Sequence, residues 1–194
     1  FFHSRNRVSG LMVPGEFSHV AVYLGTEEQL RANDLWGLPA LAPRRDDLSA
    51  GAVYLEAVAG GVRLTSADVA LDTDAVVALR PRGIDKGAVL ARGLKLMGVP
   101  YDMRFDAVDH SELFCAELVA MMFPNARLPQ TQIPGRQTIL VDGIVAGALS
   151  DDLPFGVVGY IVATAGRDAK VLSAQALAMD IQDAWPDLKQ GDDR

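Results

Sequence analysis

Apolar residues along this chain follow two rhythms, and the switches between them mark out its elements. "HVAVYLG", residues 19–25, is short, rich in β-branched and aromatic residues and closed by Gly25, which predicts a strand. "GAVYLEAVAGGV", residues 51–62, predicts a second strand running into a Gly60–Gly61 turn, and "DAVVALRP", residues 74–81, a third that stops at Pro81. In "DKGAVLARGLKLMG", residues 85–98, the apolar positions move to helical spacing, with Asp85 as N-cap and Gly98 as stop. "DHSELFCAELVAMMF" predicts another helix, capped by Asp109 or Ser111 and with Glu112 completing a capping box with Asp109, so that Cys115 falls in or just after the first turn. "GIVAGAL" and "LPFGVVGYIVAT" read as further strands, the second fully buried. "DAKVLSAQALAMDIQDAW" predicts a closing helix, because Val171, Ala174, Ala178, Ile181 and Trp185 recur on one face.

This order makes an α+β chain without internal repeat or low-complexity block. At 194 residues with 49% hydrophobic positions it is long enough for one well-buried core, and we expect a single domain over 1–194. Residues 26–50, with their prolines and mixed charge, read as a surface insertion and a candidate lid; residues 167–194 read as a C-terminal helical extension.

Charge and cysteine usage act mainly by exclusion. A formal charge of −7 with dispersed Lys and Arg offers no basic stripe to nucleic acid and disfavours an anionic membrane surface. No apolar run is long enough to span a bilayer, so no integral membrane segment is expected. The chain opens on "FFHSRNR" without an initiating Met, which points to an upstream segment able to carry a signal peptide or lipid anchor. Compartment and oligomeric state stay open. A single cysteine forms no internal disulfide and leaves the redox environment undetermined.

That cysteine is the first chemical question. Free cysteine is commonly a small buried hydrophobe, yet at a helix N-terminus the unpaired N–H groups and the macrodipole favour the thiolate, the form that attacks acyl carbon. A nucleophile of this kind needs a base, and the chain offers His3, His19 and His110. His3 sits near the start, and His110 lies in the expected cap region, where exposure is its ordinary state. His19 opens a strand, where a side chain is either half-buried filler or aimed at a neighbouring helix end. Glu56, in "VYLEAV", is a carboxylate inside an apolar strand: it lies either on a solvated face or against a partner that offsets its burial. No local ligand spacing supports a metal site of His19, His110 and Cys115, and no cofactor is expected.

"SHVAVYLG", "YLEAVAGGVRLT", "GVPYDMRFD" and "FCAELV", in this order, carry a resemblance. Over roughly residues 1–160 the chain resembles the circularly permuted, papain-fold cysteine hydrolases of the NlpC type, in the YiiX/YebB-like branch. In that family the histidine strand precedes the cysteine helix, the reverse of papain, and a central antiparallel sheet packs against the helix that carries the cysteine. The resemblance implies that Cys115 is the nucleophile, His19 its base and Glu56 the acid that fixes the His19 tautomer, with Phe1–Phe2 as the tail of a first strand. Ser18, beside the histidine, and Tyr101, in "PYD", become candidate substrate-binding residues, Tyr101 also as an oxyanion donor or simply a core tyrosine.

Cysteine attack would then give an acyl-enzyme resolved by water, on an amide in a cell-wall-type peptide or an N-acylated small molecule. Two other functions stay open: an acyltransferase of the lecithin-retinol type using the same thiol, and a catalytically silent binding module with a buried cysteine.

Overall fold

The computed structural model describes residues 2–3, 15–133, 135–164 and 168–184. In chain order the elements are β1 (Phe2–His3), β2 (Ala21–Tyr23), α1 (Glu27–Ala32), a 3-10 turn (Pro39–Arg44), α2 (Arg45–Ser49), β3 (Tyr54–Val58), β4 (Gly61–Thr65), α3 (Ala67–Ala70) and β5 (Ala75–Pro81). They continue with α4 (Lys86–Lys95), α5 (Cys115–Met122), a short 3-10 turn (Pro124–Ala126), β6 (Thr131–Ile133), β7 (Arg136–Thr138), α6 (Val141–Leu149), β8 (Phe155–Ala163), β9 (Ala169–Leu172) and α7 (Ala174–Ala184). All strand pairings are antiparallel, and the fold is α+β. The chain divides into two units, one of residues 1–19, 73–82 and 140–194, the other of residues 20–72 and 83–139.

The first unit is built on the sheet β1-β5-β8-β9. Its long pair, β5 with β8, runs from Ala75 opposite Val162 to Pro81 opposite Phe155, with an irregularity between Ala78 and Leu79. Of the first-strand tail expected at Phe1–Phe2, Phe2 lies in β1 and stands opposite Val76, while Phe1 lies outside the described residues. Helices α6 and α7 pack on β8 and on each other. Their buried residues, Ile144, Val145 and Leu177, join Val77 and Tyr160 in the core. Phe17 is fully buried and meets Tyr160 edge to face.

Three expectations for this unit need correction. "GIVAGAL" is helix, not strand: read from Val141, the buried residues Val141, Ile144, Val145 and Ala148 fall at helical spacing, which a window opening on Gly143 truncates. β8 is not buried on both faces, since Val158 and Ile161 are exposed, as one face of an antiparallel sheet commonly is. The terminal helix begins only at Ala174; residues 169–172 extend the sheet instead, leaving Val171 exposed, and the buried stripe is Leu177 and Ile181. Trp185 lies outside the described residues.

The second unit holds the sheet β2-β3-β4 and the cysteine helix α5, which packs against β2 and β3 with α4 at its side. The predicted hairpin turn is present, with Gly60 and Gly61 both at positive φ. Asp85 caps α4 as expected, accepting from Ala88 N–H at 3.0 Å. A Cβ at Gly93 would lie 2.6 Å from Met122 Cε and 2.8 Å from Leu55 Cδ2, so this glycine sets how closely α4 approaches the cysteine helix and β3. Residues 26–50 fold into α1, the 3-10 turn and α2, with Thr26 and Gln29 forming a capping box. This segment buries leucines of its own, Leu30, Leu41 and Leu48.

Candidate active site

Cys115 is the first residue of α5 and is buried, 3% exposed. Its helix does not begin where the sequence predicts. Asp109 accepts from the nearby Ser111 N–H, and the N-cap is Phe114, in extended conformation and without a side-chain capping bond. The first-turn N–H groups beside the thiol thus have no hydroxyl or carboxamide cap, the condition in which they can bind an anion.

The start of this helix is fixed by contacts far back in the chain. Val62 N–H donates to Val99 O at 2.9 Å and Gly98 N–H to Val62 O at 2.8 Å, tying residues 98–99 to β4. A Cβ at Gly61 would stand 2.6 Å from Val99 O, so only glycine allows this approach. Leu113 N–H then donates to Pro100 O at 2.9 Å, and Asp102 N–H to Leu113 O at 3.2 Å. This pairing holds Tyr101 beside the residues that enter the helix. Phe105 lies edge to face with both Tyr101 and Phe114, and the buried Asp102 carboxylate accepts from Arg104 N–H and Asp106 N–H at 2.7 and 2.6 Å. Burial, then the neighbouring Cys115 and Asp102, pushes the Tyr101 phenol well above the ordinary tyrosine range, so Tyr101 and Cys115 lie within electrostatic reach.

Glu56 sits at the centre of β3, opposite Ala21 on one side and Arg63 on the other. It is 2% exposed, and Arg63 donates to its Oε1 at 3.1 Å through both Nε and a terminal guanidinium nitrogen. The buried position is therefore charge-compensated rather than solvated. Ser18 and His19 are also buried and end the first segment of the first unit. The chain just before them is held by Asp142 of α6, whose carboxylate oxygens accept from Glu16 N–H and Phe17 N–H, each at 2.7 Å. Of the candidate residues, Cys115, Tyr101 and Glu56 belong to the second unit, Tyr101 and Cys115 near one another, and Ser18 and His19 to the first.

One feature escapes the sequence reading: His110 Nδ1 meets Oε1 of Glu117, two residues beyond Cys115 on α5. The signal was present, an acid within the apolar run "CAELVAMM", the same kind of signal that singled out Glu56. Among the described residues no group of three or more His, Cys, Asp and Glu could hold a metal ion, and no helix is long and apolar enough to cross a membrane.

The expected strand over 19–25 is shorter, Ala21–Tyr23, and His19 precedes it; a buried cysteine opening a helix that lies on an antiparallel sheet, reached after that histidine, fits a permuted papain-like cysteine hydrolase. Residues 1–178 match the family described as "Permuted papain-like amidase enzyme, YaeF/YiiX, C92 family", and the chain belongs to it. Comparison with curated proteins and with solved structures gave no match. The fold is accordingly permuted papain-like, and the enzyme class is cysteine amidase or peptidase.

Proposed function

We propose that the protein cleaves an amide bond in a peptide or an N-acylated small molecule through a Cys115–His19–Glu56 triad. The observation that carries this reading is the buried Cys115 at an uncapped helix N-terminus, in a chain of the permuted papain-like amidase family. A further support is that His19 and Glu56, the residues in the base and acid roles, are both buried polar groups.

In this mechanism His19 takes the Cys115 proton, and the thiolate attacks the carbonyl carbon to form a C–S bond. First-turn N–H groups of α5 hold the oxyanion, a contribution of about 3 kcal/mol for one good donor, with the Tyr101 hydroxyl as an additional donor. The C–N bond then breaks as His19 protonates the departing amine. Water, deprotonated by His19, attacks the thioester and releases the carboxylic acid and the free thiol. Glu56 accepts from the far ring nitrogen of His19 and keeps the tautomer correct. Ser18 lines the substrate path next to the base.

The test is a screen of short peptide and N-acyl amides with acid quenching and mass analysis of the protein. The expected result is one amine released per acid formed, an acyl adduct on Cys115, loss of turnover in Cys115→Ser, and a drop of about a hundredfold or more in Glu56→Gln. Amide cleavage that persists in Cys115→Ser would overturn the reading. Transfer of the acyl group to an added amine in preference to water would replace hydrolysis by acyl transfer.

A further inference from the structure

Glu117 is 1% exposed, on the third residue of the helix that Cys115 opens, and the mechanism above gives it no part. One carboxylate oxygen, Oε1, faces His110 Nδ1; the other, Oε2, is buried with no hydrogen-bond partner among the described residues. Burial holds this carboxyl above the ordinary carboxylate range, opposed by His110 and by the Phe114 backbone amide, while Asp102 pushes in the same direction as burial. A half-satisfied buried carboxylate is costly, and it stands out on a helix whose other buried residues, among them Ala116, Leu118 and Val119, are apolar.

The surrounding charges are otherwise committed. Arg104, in the loop before the helix, faces Asp102, Asp109 and Glu112 at 3.6 to 3.8 Å. On α4, Arg92 donates to Met122 O at the far end of α5. On β3, Glu56 is paired with Arg63 of β4, and on β2 the Tyr23 hydroxyl donates to Gln29. Besides the proposed base His19, the described residues place the neutral Tyr101 phenol near the thiol and, within the first turn of the thiol's own helix, the Glu117–His110 pair.

We propose that Glu117 and His110 form a charge couple on the nucleophile's own helix that sets how readily the Cys115 thiol ionises. The inference rests on the reading of Cys115 as nucleophile. Glu117 and Cys115 share the first turn, so an ionised Glu117 opposes the thiolate and competes with it for the same helix N-terminus. A protonated His110 cancels that charge; an unprotonated one leaves it standing. His110, with a side chain 54% exposed, gives solvent protons access to a carboxylate that is itself closed off. Glu117 is thus a positioning residue acting through local charge, distinct from the His19 base.

The experiment measures iodoacetamide alkylation of Cys115 against pH in the parent, Glu117→Gln, His110→Asn, the double variant and His19→Ala, with thermal melts as fold controls. Expected are opposite shifts: the Glu117→Gln profile moves to lower pH and the His110→Asn profile to higher pH, each on the order of one pH unit. In the double variant the effect of His110→Asn disappears, because its target charge is gone. A purely structural role would move both single variants the same way or neither, and either result overturns the proposal. Should Glu117→Gln not fold, His110→Asn at an exposed position decides: an upward shift supports the couple and an unchanged profile overturns it. An inert Cys115 in the parent, or no response to His19→Ala, defeats the nucleophile reading instead.

Discussion

At the scale of single residues, the chemistry depends on where charge and polar hydrogen are held near Cys115. Tyr101 is a neutral phenol kept beside the thiol by the pairing of residues 100 and 102 with Leu113. Tyr101→Phe should lower kcat by about a hundredfold with little change in KM if the hydroxyl donates to the oxyanion, since such a donor acts mainly in the transition state. Steady-state kinetics on an amide substrate checks this, and an unchanged kcat would return Tyr101 to a packing role. Glu56 was legible from sequence because an acid in an apolar strand requires compensation, and Arg63, its cross-strand partner, supplies it. Glu117 gave the same signal but escaped notice, because acids in a helix's first turn are ordinary companions of its dipole. What the sequence hides is depth of burial.

Elements were legible wherever a local cap or turn decides them. Asp85 caps α4, Gly60–Gly61 turns β3 into β4, and β5 ends on Pro81 as its sequence predicts. They were illegible where distant contacts override local preference. The stretch 109–112 looks like a capping box, but Leu113 is drawn into pairing with residues 100 and 102, and the helix can begin only after it. The closeness of α4 and α5 is another long-range property, resting on Gly93. Gly93→Ala places a methyl within 3 Å of Met122 and Leu55 side chains, as the 2.6 and 2.8 Å approaches require, and should cost about 1–3 kcal/mol in chemical denaturation. A loss below about 0.5 kcal/mol would mean that Met122 yields freely.

Across the molecule, order along the chain made the family recognisable, with the His19 motif before the Glu56 strand and the cysteine helix last. Each unit also carries a phenol whose ionisation folding opposes: the half-buried Tyr101 in the second, and the buried Tyr160 in the first, raised by burial and then by its bond to Asp180. Because the folded values lie above the ordinary phenol value of 10.0, this stabilisation is complete below that pH and is lost as pH rises through the folded values. Difference titrations against Tyr101→Phe and Tyr160→Phe should therefore show both phenols ionising only above the ordinary value; ionisation at the ordinary value in folded protein would contradict these surroundings. The central claim is that Cys115 is a nucleophile activated by His19. Its most direct test is the rate of iodoacetamide alkylation of Cys115 as a function of pH, in the parent and in His19→Ala. The account predicts fast alkylation of the parent at neutral and mildly acidic pH, lost without His19. An inert thiol, or one whose reactivity is indifferent to His19, would make Cys115 structural and contradict the account.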